Sequence, residues 1–302
     1  MGHIKGNKVM ENAFIVRVSA GVWTARKMDK AATKQAREAA GAGVKAGVKV
    51  YKSVIAADAL DKIESIAGAA RNDHRKRTVP WTYEGAGAIT AEGYAPYKAA
   101  MAKFQTEFEV AVRHFLSVYE VERTNAREYL QGMFNETDYP TVGALREKFY
   151  FTTHAEPLPQ AAHFAPVGLP PETVSEIRQD IVRSNTTALQ NANATAWERV
   201  TDKITKLKEG LAAYKPAVGK GGKSEGTFRD SLVNNIKELV GMIPSINVAN
   251  DPDLKVIGRR LLVLTAYSAQ DLRDSDALRN EVVKNATTLL DAITARATSN
   301  AA

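Results

Sequence analysis

The sequence predicts a mainly α protein: a long antiparallel helical hairpin with a small β element, followed by a C-terminal helical bundle. Three observations carry this. First, no Gly or Pro interrupts the chain between Lys98 and Gln131, and Tyr94, Tyr97, Met101, Phe104, Phe108, Ala111, Phe115 and Val118 alternate at spacings of 3 and 4. That is a heptad seam on a helix spanning about 90–131, roughly 60 Å long. Second, another long run extends from Glu172 to Tyr214. Third, three shorter amphipathic runs follow Thr227.

In chain order, Ala13–Val18 (AFIVRV) is short and β-prone, and reads as a strand. Trp23 and the basic run Arg26, Lys27, Lys30, Lys34 and Arg37 follow. Asp29 to Ala40 favours helix through its Ala, Lys and Gln content, and the glycines at 41, 43 and 47 end it. Val50 to Arg77 reads as one helix with Val54, Ala57, Leu60, Ile63, Ala67 and Ala70 on its apolar face. Arg75, Lys76 and Arg77 close its last turn, where cations complement the helix dipole. Residues 79–93, with Pro80, Trp81 and three glycines, read as a loop with a turn at Glu84–Gly85.

After the first long helix, a connector leads to a short helix ending near Lys148. Phe149–Leu158 (FYFTTHAEPL) alternates and reads as a strand. Five prolines between 157 and 171 keep the crossing extended, and Pro170-Pro171-Glu172 starts the second long helix. Its Asn-, Thr- and Ala-rich middle lets another backbone approach closely. The expectation is that the two long helices pair and cover the aromatic stripe. Lys215–Thr227 reads as a Gly- and Lys-rich linker. It separates a domain of residues 1–214 from a bundle of residues 228–302, with helices at 228–242, 253–270 and 275–296.

The composition narrows the function classes. With 44% apolar and 25% charged residues, the chain is of ordinary globular character. It has no Cys, which removes disulfides, thiol nucleophiles and Cys-based zinc sites. No apolar run approaches the roughly 18 residues of a membrane span, so a soluble, cytoplasmic protein with no membrane contact is expected. The net charge of +7 is concentrated near the N-terminus. Residues 1–52 hold eleven Lys and Arg against Glu11, Asp29 and Glu38.

The search for catalytic and cofactor motifs is negative. Gly221-Gly222-Lys223-Ser224 resembles the end of a phosphate loop, but Ala217 stands where that loop needs Gly and a long helix precedes it. His154, Glu156 and His163 lack metal-ligand spacing. Glu107 and Glu109 diverge on a helix, and no GxSxG is present. The expectation is no catalytic residue, no metal and no cofactor. The basic clusters are the strongest candidates: Trp23 with Arg26, Lys27 and Lys30, and Arg75, Lys76 and Arg77 with Trp81. Cations beside aromatics are what single-stranded nucleic acid uses, charge for the backbone and rings for base stacking. Burial of both tryptophans in a core competes with that reading.

Several phrases occur together in a characteristic order. They include Trp23-Thr24-Ala25-Arg26-Lys27, Val79-Pro80-Trp81, Phe104–Tyr119, Leu130–Pro140 and Thr227–Val233. Over about residues 13–265 this order resembles an uncharacterised bacteriophage and prophage family, a domain of unknown function. The resemblance implies a helical, phage-encoded protein of the host cytoplasm. It also implies genes that often lie near MoxR-type AAA+ ATPases or phage DNA-metabolism genes, and it carries over no catalytic residue. Two functions are therefore expected. The first is a non-enzymatic accessory or scaffold protein that binds a phage or host protein, such as an AAA+ ATPase, or forms homo-oligomers. The second is a DNA- or RNA-binding protein of phage recombination or replication.

Overall fold

The computed structural model describes residues 12–82, 85–216, 226 and 228–301. The strands are β1 (Ala13–Gly21), β2 (Arg26–Met28), β3 (Tyr51–Ser53), β4 (Val79–Pro80), β5 (Ala86–Thr90) and β6 (Tyr150–Pro157). The helices are α1 (Lys30–Ala39), α2 (Asp61–Arg77), α3 (Ala91–Leu130), α4 (Val142–Arg146), α5 (Pro171–Ala213), α6 (Asp230–Ile246), α7 (Pro252–Arg260), α8 (Ala269–Asp274) and α9 (Asp276–Ala301). A four-stranded sheet has the order β4-β5-β1-β6, and β2 and β3 form a separate two-stranded ribbon. The fold is mostly helical with a small antiparallel sheet and C-terminal helices.

The chain folds into two compact units. The first comprises the described residues within Met1–Arg17, Arg75–Tyr97 and Ala155–Ala302, and the second Val18–His74 and Lys98–His154. Each has its own core.

In the first unit, α5 packs along α9 and α6. Val200, Ile204, Leu207 and Leu211 of α5 meet Ile236 and Leu239 of α6 and Val282 and Leu289 of α9. Ala13 and Ile15 of β1 and Val79 and Trp81 beside β4 complete this core. The Ala-rich middle of α5 does approach its neighbours closely: Ala188, Ala192 and Ala196 are buried in that core. Helices α6–α9 share this core with α5 and β1. Most of the expected linker 215–227, including the Gly221–Ser224 phrase, lies outside the described residues.

In the second unit the aromatic stripe of α3 is the core. Phe108, Val112, Phe115 and Tyr119 are packed with Trp23, Ile63, Leu145, Phe149 and Phe151. Trp23 meets Tyr119 edge-on at 6.0 Å, and Phe115 meets Phe149 at 5.7 Å. The buried line runs Met101, Phe108, Val112, Phe115, Tyr119 and Ala126. Its spacings are 7, 4, 3, 4 and 7, so the seven-residue repeat is kept, with Val112 and Tyr119 buried in place of the expected Ala111 and Val118. The two long helices bury their apolar faces in different cores. The stripe is covered by β1, α2 and β6 residues of its own unit, while the buried face of α5 belongs to the other core.

Three local expectations also change. Helix α2 starts only at Asp61, because Val50 to Val54 pairs alongside Ala25 to Asp29. The expected loop at 79–93 contains β4, β5 and the start of α3. Its small residues are dictated by close packing: Gly87 has no room for a Cβ against the Thr78 side chain, nor Gly93 against Ser245. The expected helix 253–270 stops at Arg260 and tightens into a 3-10 stretch, Leu261–Thr265.

Candidate nucleic-acid interface

Residues 26–53 form a small ribbon-and-helix lobe of the second unit. Strands β2 and β3 pair antiparallel, with Arg26 opposite Ser53, Lys27 opposite Lys52 and Met28 opposite Tyr51. The ladder continues at both ends: Val54 N–H donates to Ala25 O at 2.8 Å and Asp29 N–H to Val50 O at 2.9 Å. The Asp29 carboxylate caps α1 by accepting from Ala32 N–H at 2.8 Å, which satisfies one of the orphan donors of the first turn. Val50 N–H donates to the Thr33 hydroxyl at 2.9 Å, tying α1 to the ribbon.

The lobe has little core. Between Arg26 and Ser53 only Thr33 and Lys52 are buried. It carries eight Lys and Arg against Asp29 and Glu38. Arg26, Lys27, Lys30, Lys45 and Lys49 are all exposed. Lys34 makes only a long surface pair with Glu38, 3.8 Å, and Arg37 donates to Thr33 O. Such a surface pair contributes little in water, so the positive potential of the lobe is largely uncompensated.

The lobe is anchored by one buried charge. Lys52 lies 2.8 Å from Asp138 and 3.9 Å from Asp29, and also donates to Met133 O. A buried ammonium is tolerable only with such partners. Beside it, the Tyr139 hydroxyl donates to Val54 O at 2.5 Å, and its ring stacks on Phe134 at 5.0 Å. Burial pushes the Tyr139 phenol up to about 12, reinforced by Tyr129 and Asp138. Tyr119, which donates to Pro140 O at 3.0 Å, is likewise pushed up to about 12 by burial.

The candidate residues fall into two sets in different units. Trp23, Arg26, Lys27 and Lys30 belong to the second unit, and Arg75, Lys76, Arg77 and Trp81 to the first. The cations of the first set are exposed on β2 and α1. In the other set, Lys76 pairs with Glu238 at 3.0 Å, and Arg199 ties down the chain by donating to Thr78 O at 2.7 Å. Both tryptophans lie in cores. Trp23 is 7% exposed among Phe115 and Tyr119, and Trp81 is 8% exposed among the β4, β5 and α5 residues of its core. A base would have to unpack either core to reach the ring face. The aromatic ring that is available in the lobe is Tyr51, 57% exposed, which sequence reasoning had placed inside a helix. The alternation of Val50-Tyr51-Lys52-Ser53-Val54 is the signal that identifies it as a strand residue.

The first unit contains a separate cleft of about 770 Å³, lined by Thr90, Glu92, Pro244, Lys255, Arg259 and Leu262 among others. It also contains a buried polar knot at Asp251. Trp197 Nε1 and Asn193 Nδ2 donate to one carboxylate oxygen at 2.9 and 3.1 Å, and Arg296 joins them. The other oxygen caps α7. Burial pushes this carboxyl up, but the bonds from Trp197 and Asn193 and the Arg296 charge outweigh it and leave its pKa lowered. Every donor there is used in holding α5, α7 and α9 together, so the knot reads as structural. Among the described residues no group of three His, Asp or Glu converges as a metal site, and no helix is long and apolar enough to cross a membrane.

No family model matches the chain, and no match was found among curated proteins or solved structures.

Proposed function

We propose that the protein binds nucleic acid through the lobe of residues 26–53. The observation that supports this is the set of exposed cations Arg26, Lys27, Lys30, Lys45 and Lys49 on a lobe that buries almost nothing else. A fold conserving only its own stability has no use for self-repelling charge on a thinly packed element. Phosphates are the polyanion that a spread of flexible cations matches, and each neutralised phosphate releases counterions. The expected result is retention of nucleic acid at about 50 mM salt, with a log–log salt slope of about −3 to −4 for roughly four phosphate contacts. Arg26→Ala/Lys27→Ala/Lys30→Ala should flatten that slope and abolish most of the binding. Arg75→Ala/Lys76→Ala/Arg77→Ala should have the smaller effect, because Lys76 is already paired with Glu238. Absence of binding by the unmodified chain at about 50 mM salt sinks the reading.

A second reading, an accessory protein that binds a protein partner or a second copy of itself, is favoured by the cleft of the first unit. There Leu262, 56% exposed, stands beside Lys255 and Arg259. An exposed aliphatic residue flanked by cations suits an acidic amphipathic segment. The resemblance to the phage family makes an AAA+ ATPase the first partner to try. A chain that stays monomeric and leaves such an ATPase unbound counts against it.

A further inference from the structure

We infer that the nucleic acid taken by the lobe is single-stranded, and that Tyr51 is the residue that stacks on an unpaired base. This rests on the nucleic-acid reading above and specifies its substrate.

The argument is one of ribbon geometry. Residues directly opposite each other in an antiparallel pair project to the same face, and successive residues to opposite faces. Lys27 and Lys52 therefore share one face, and Arg26, Met28, Tyr51 and Ser53 share the other. Lys52 is buried against Asp138 and Met133 O, so the first face is turned inward at Lys52, while its ladder partner Lys27 keeps its side chain exposed. The outward face then presents Tyr51 directly opposite Met28, with Arg26 diagonal to Tyr51. Tyr51 and Met28 are 57% and 42% exposed. Among the described residues the Tyr51 ring meets no other ring, and Arg26 has no ion-pair partner.

The Tyr51 ring and the Met28 thioether form an exposed apolar pair between cations. Its placement is informative because the other two rings near the cations, Trp23 and Trp81, are buried. A cation about 7–8 Å diagonally from a free ring matches the chemistry of a single strand, with phosphate on the guanidinium and base on the ring. A duplex keeps its bases stacked and offers the ring nothing. The rival arrangement, the ribbon lying in a major groove, would use Arg26 and the lysines but would draw little from Tyr51.

The test is fluorescence anisotropy at about 50 mM salt with labelled oligothymidine of about 16 nucleotides and a duplex of equal length. The full chain is compared with Tyr51→Ala, Tyr51→Phe and Arg26→Ala/Lys27→Ala/Lys30→Ala. The unmodified chain should prefer the single strand. Tyr51→Ala should weaken single-strand binding by about 5- to 150-fold and duplex binding by less than about twofold. Tyr51→Phe should keep single-strand affinity, since the ring and not the hydroxyl is used. Duplex preference, or single-strand affinity indifferent to Tyr51→Ala while the triple variant loses binding, overturns this inference and leaves the nucleic-acid reading standing. Binding of neither probe by the unmodified chain overturns both. Unchanged circular dichroism of Tyr51→Ala, expected for so exposed a side chain, keeps the comparison clean.

Discussion

The stripe of α3 and the basic lobe lie in the same unit and are built by opposite rules. Over residues 101–119, Met101, Phe108, Val112, Phe115 and Tyr119 are all buried, and rings meet rings at 5.7–6.4 Å. Over residues 26–53 only a threonine and a lysine are buried. The stripe spends its large side chains on packing. The lobe is held by a ladder, one cap and one buried ion cluster, and keeps its long side chains in solvent. The difference teaches where to look for function: the lobe carries a dense set of exposed cations that its packing does not use.

The comparison can be broken or sharpened by mutation. The largest effect is expected from Phe115→Ala. It should cost about 3–5 kcal/mol of unfolding free energy in urea, while Lys27→Ala in the lobe should stay within about 0.5 kcal/mol. Equal costs would mean that the lobe is packed after all. Lys52→Met should come next, at about 3 kcal/mol, because it leaves Asp138 and Asp29 without their cation. Adding Asp138→Asn should recover part of the loss, and proteolysis confined to residues 26–53 would show that the lobe loosens first. A smaller loss is expected from Tyr139→Phe, about 1 kcal/mol for the lost bond to Val54 O. Tyr139 and Tyr119 also set an alkaline limit. Their folded pKa values lie near 12, above the ordinary 10. The stability they contribute is complete below pH 10 and is lost as pH rises toward 12. Following tyrosine ionisation and circular dichroism together should show the two changing in that window, with Tyr139→Phe reducing the loss.

Sequence periodicity was most informative where one physical demand dominated. The expected helices at 90–131 and 172–214 correspond to Ala91–Leu130 and Pro171–Ala213, because long uninterrupted apolar faces leave few alternatives. Their partners were not legible, since an apolar face specifies burial and not the surface that buries it. The strands at Ala86–Thr90 and Tyr51–Ser53 were missed for different reasons. The first reads Ala-Gly-Ala-Ile-Thr, and Thr78 leaves no room for a Cβ at Gly87, so its β signal is short and weak. The second runs into Ala56–Leu60, whose helix-favouring residues place the expected start at Val50 and not at Asp61. For the candidate site, the cations of the lobe were visible as a charge excess. The ring beside them was misassigned, because sequence proximity cannot separate Trp23, whose side chain faces Phe115 and Tyr119, from Tyr51, whose ladder partner is the exposed Met28.

Strand β1 has a consequence for how the chain is born. Its Ala13 and Ile15 belong to the same core as Val282 and Ile293, a separation of about 280 residues. At about 5–20 residues per second, a ribosome needs roughly a quarter of a minute to a minute to cover that distance. The second unit is complete by His154. The nascent chain therefore has every residue of its basic lobe and aromatic core in hand while the first strand still waits for its last helix. The order of synthesis places the proposed nucleic-acid surface in the chain before the C-terminal helices are made.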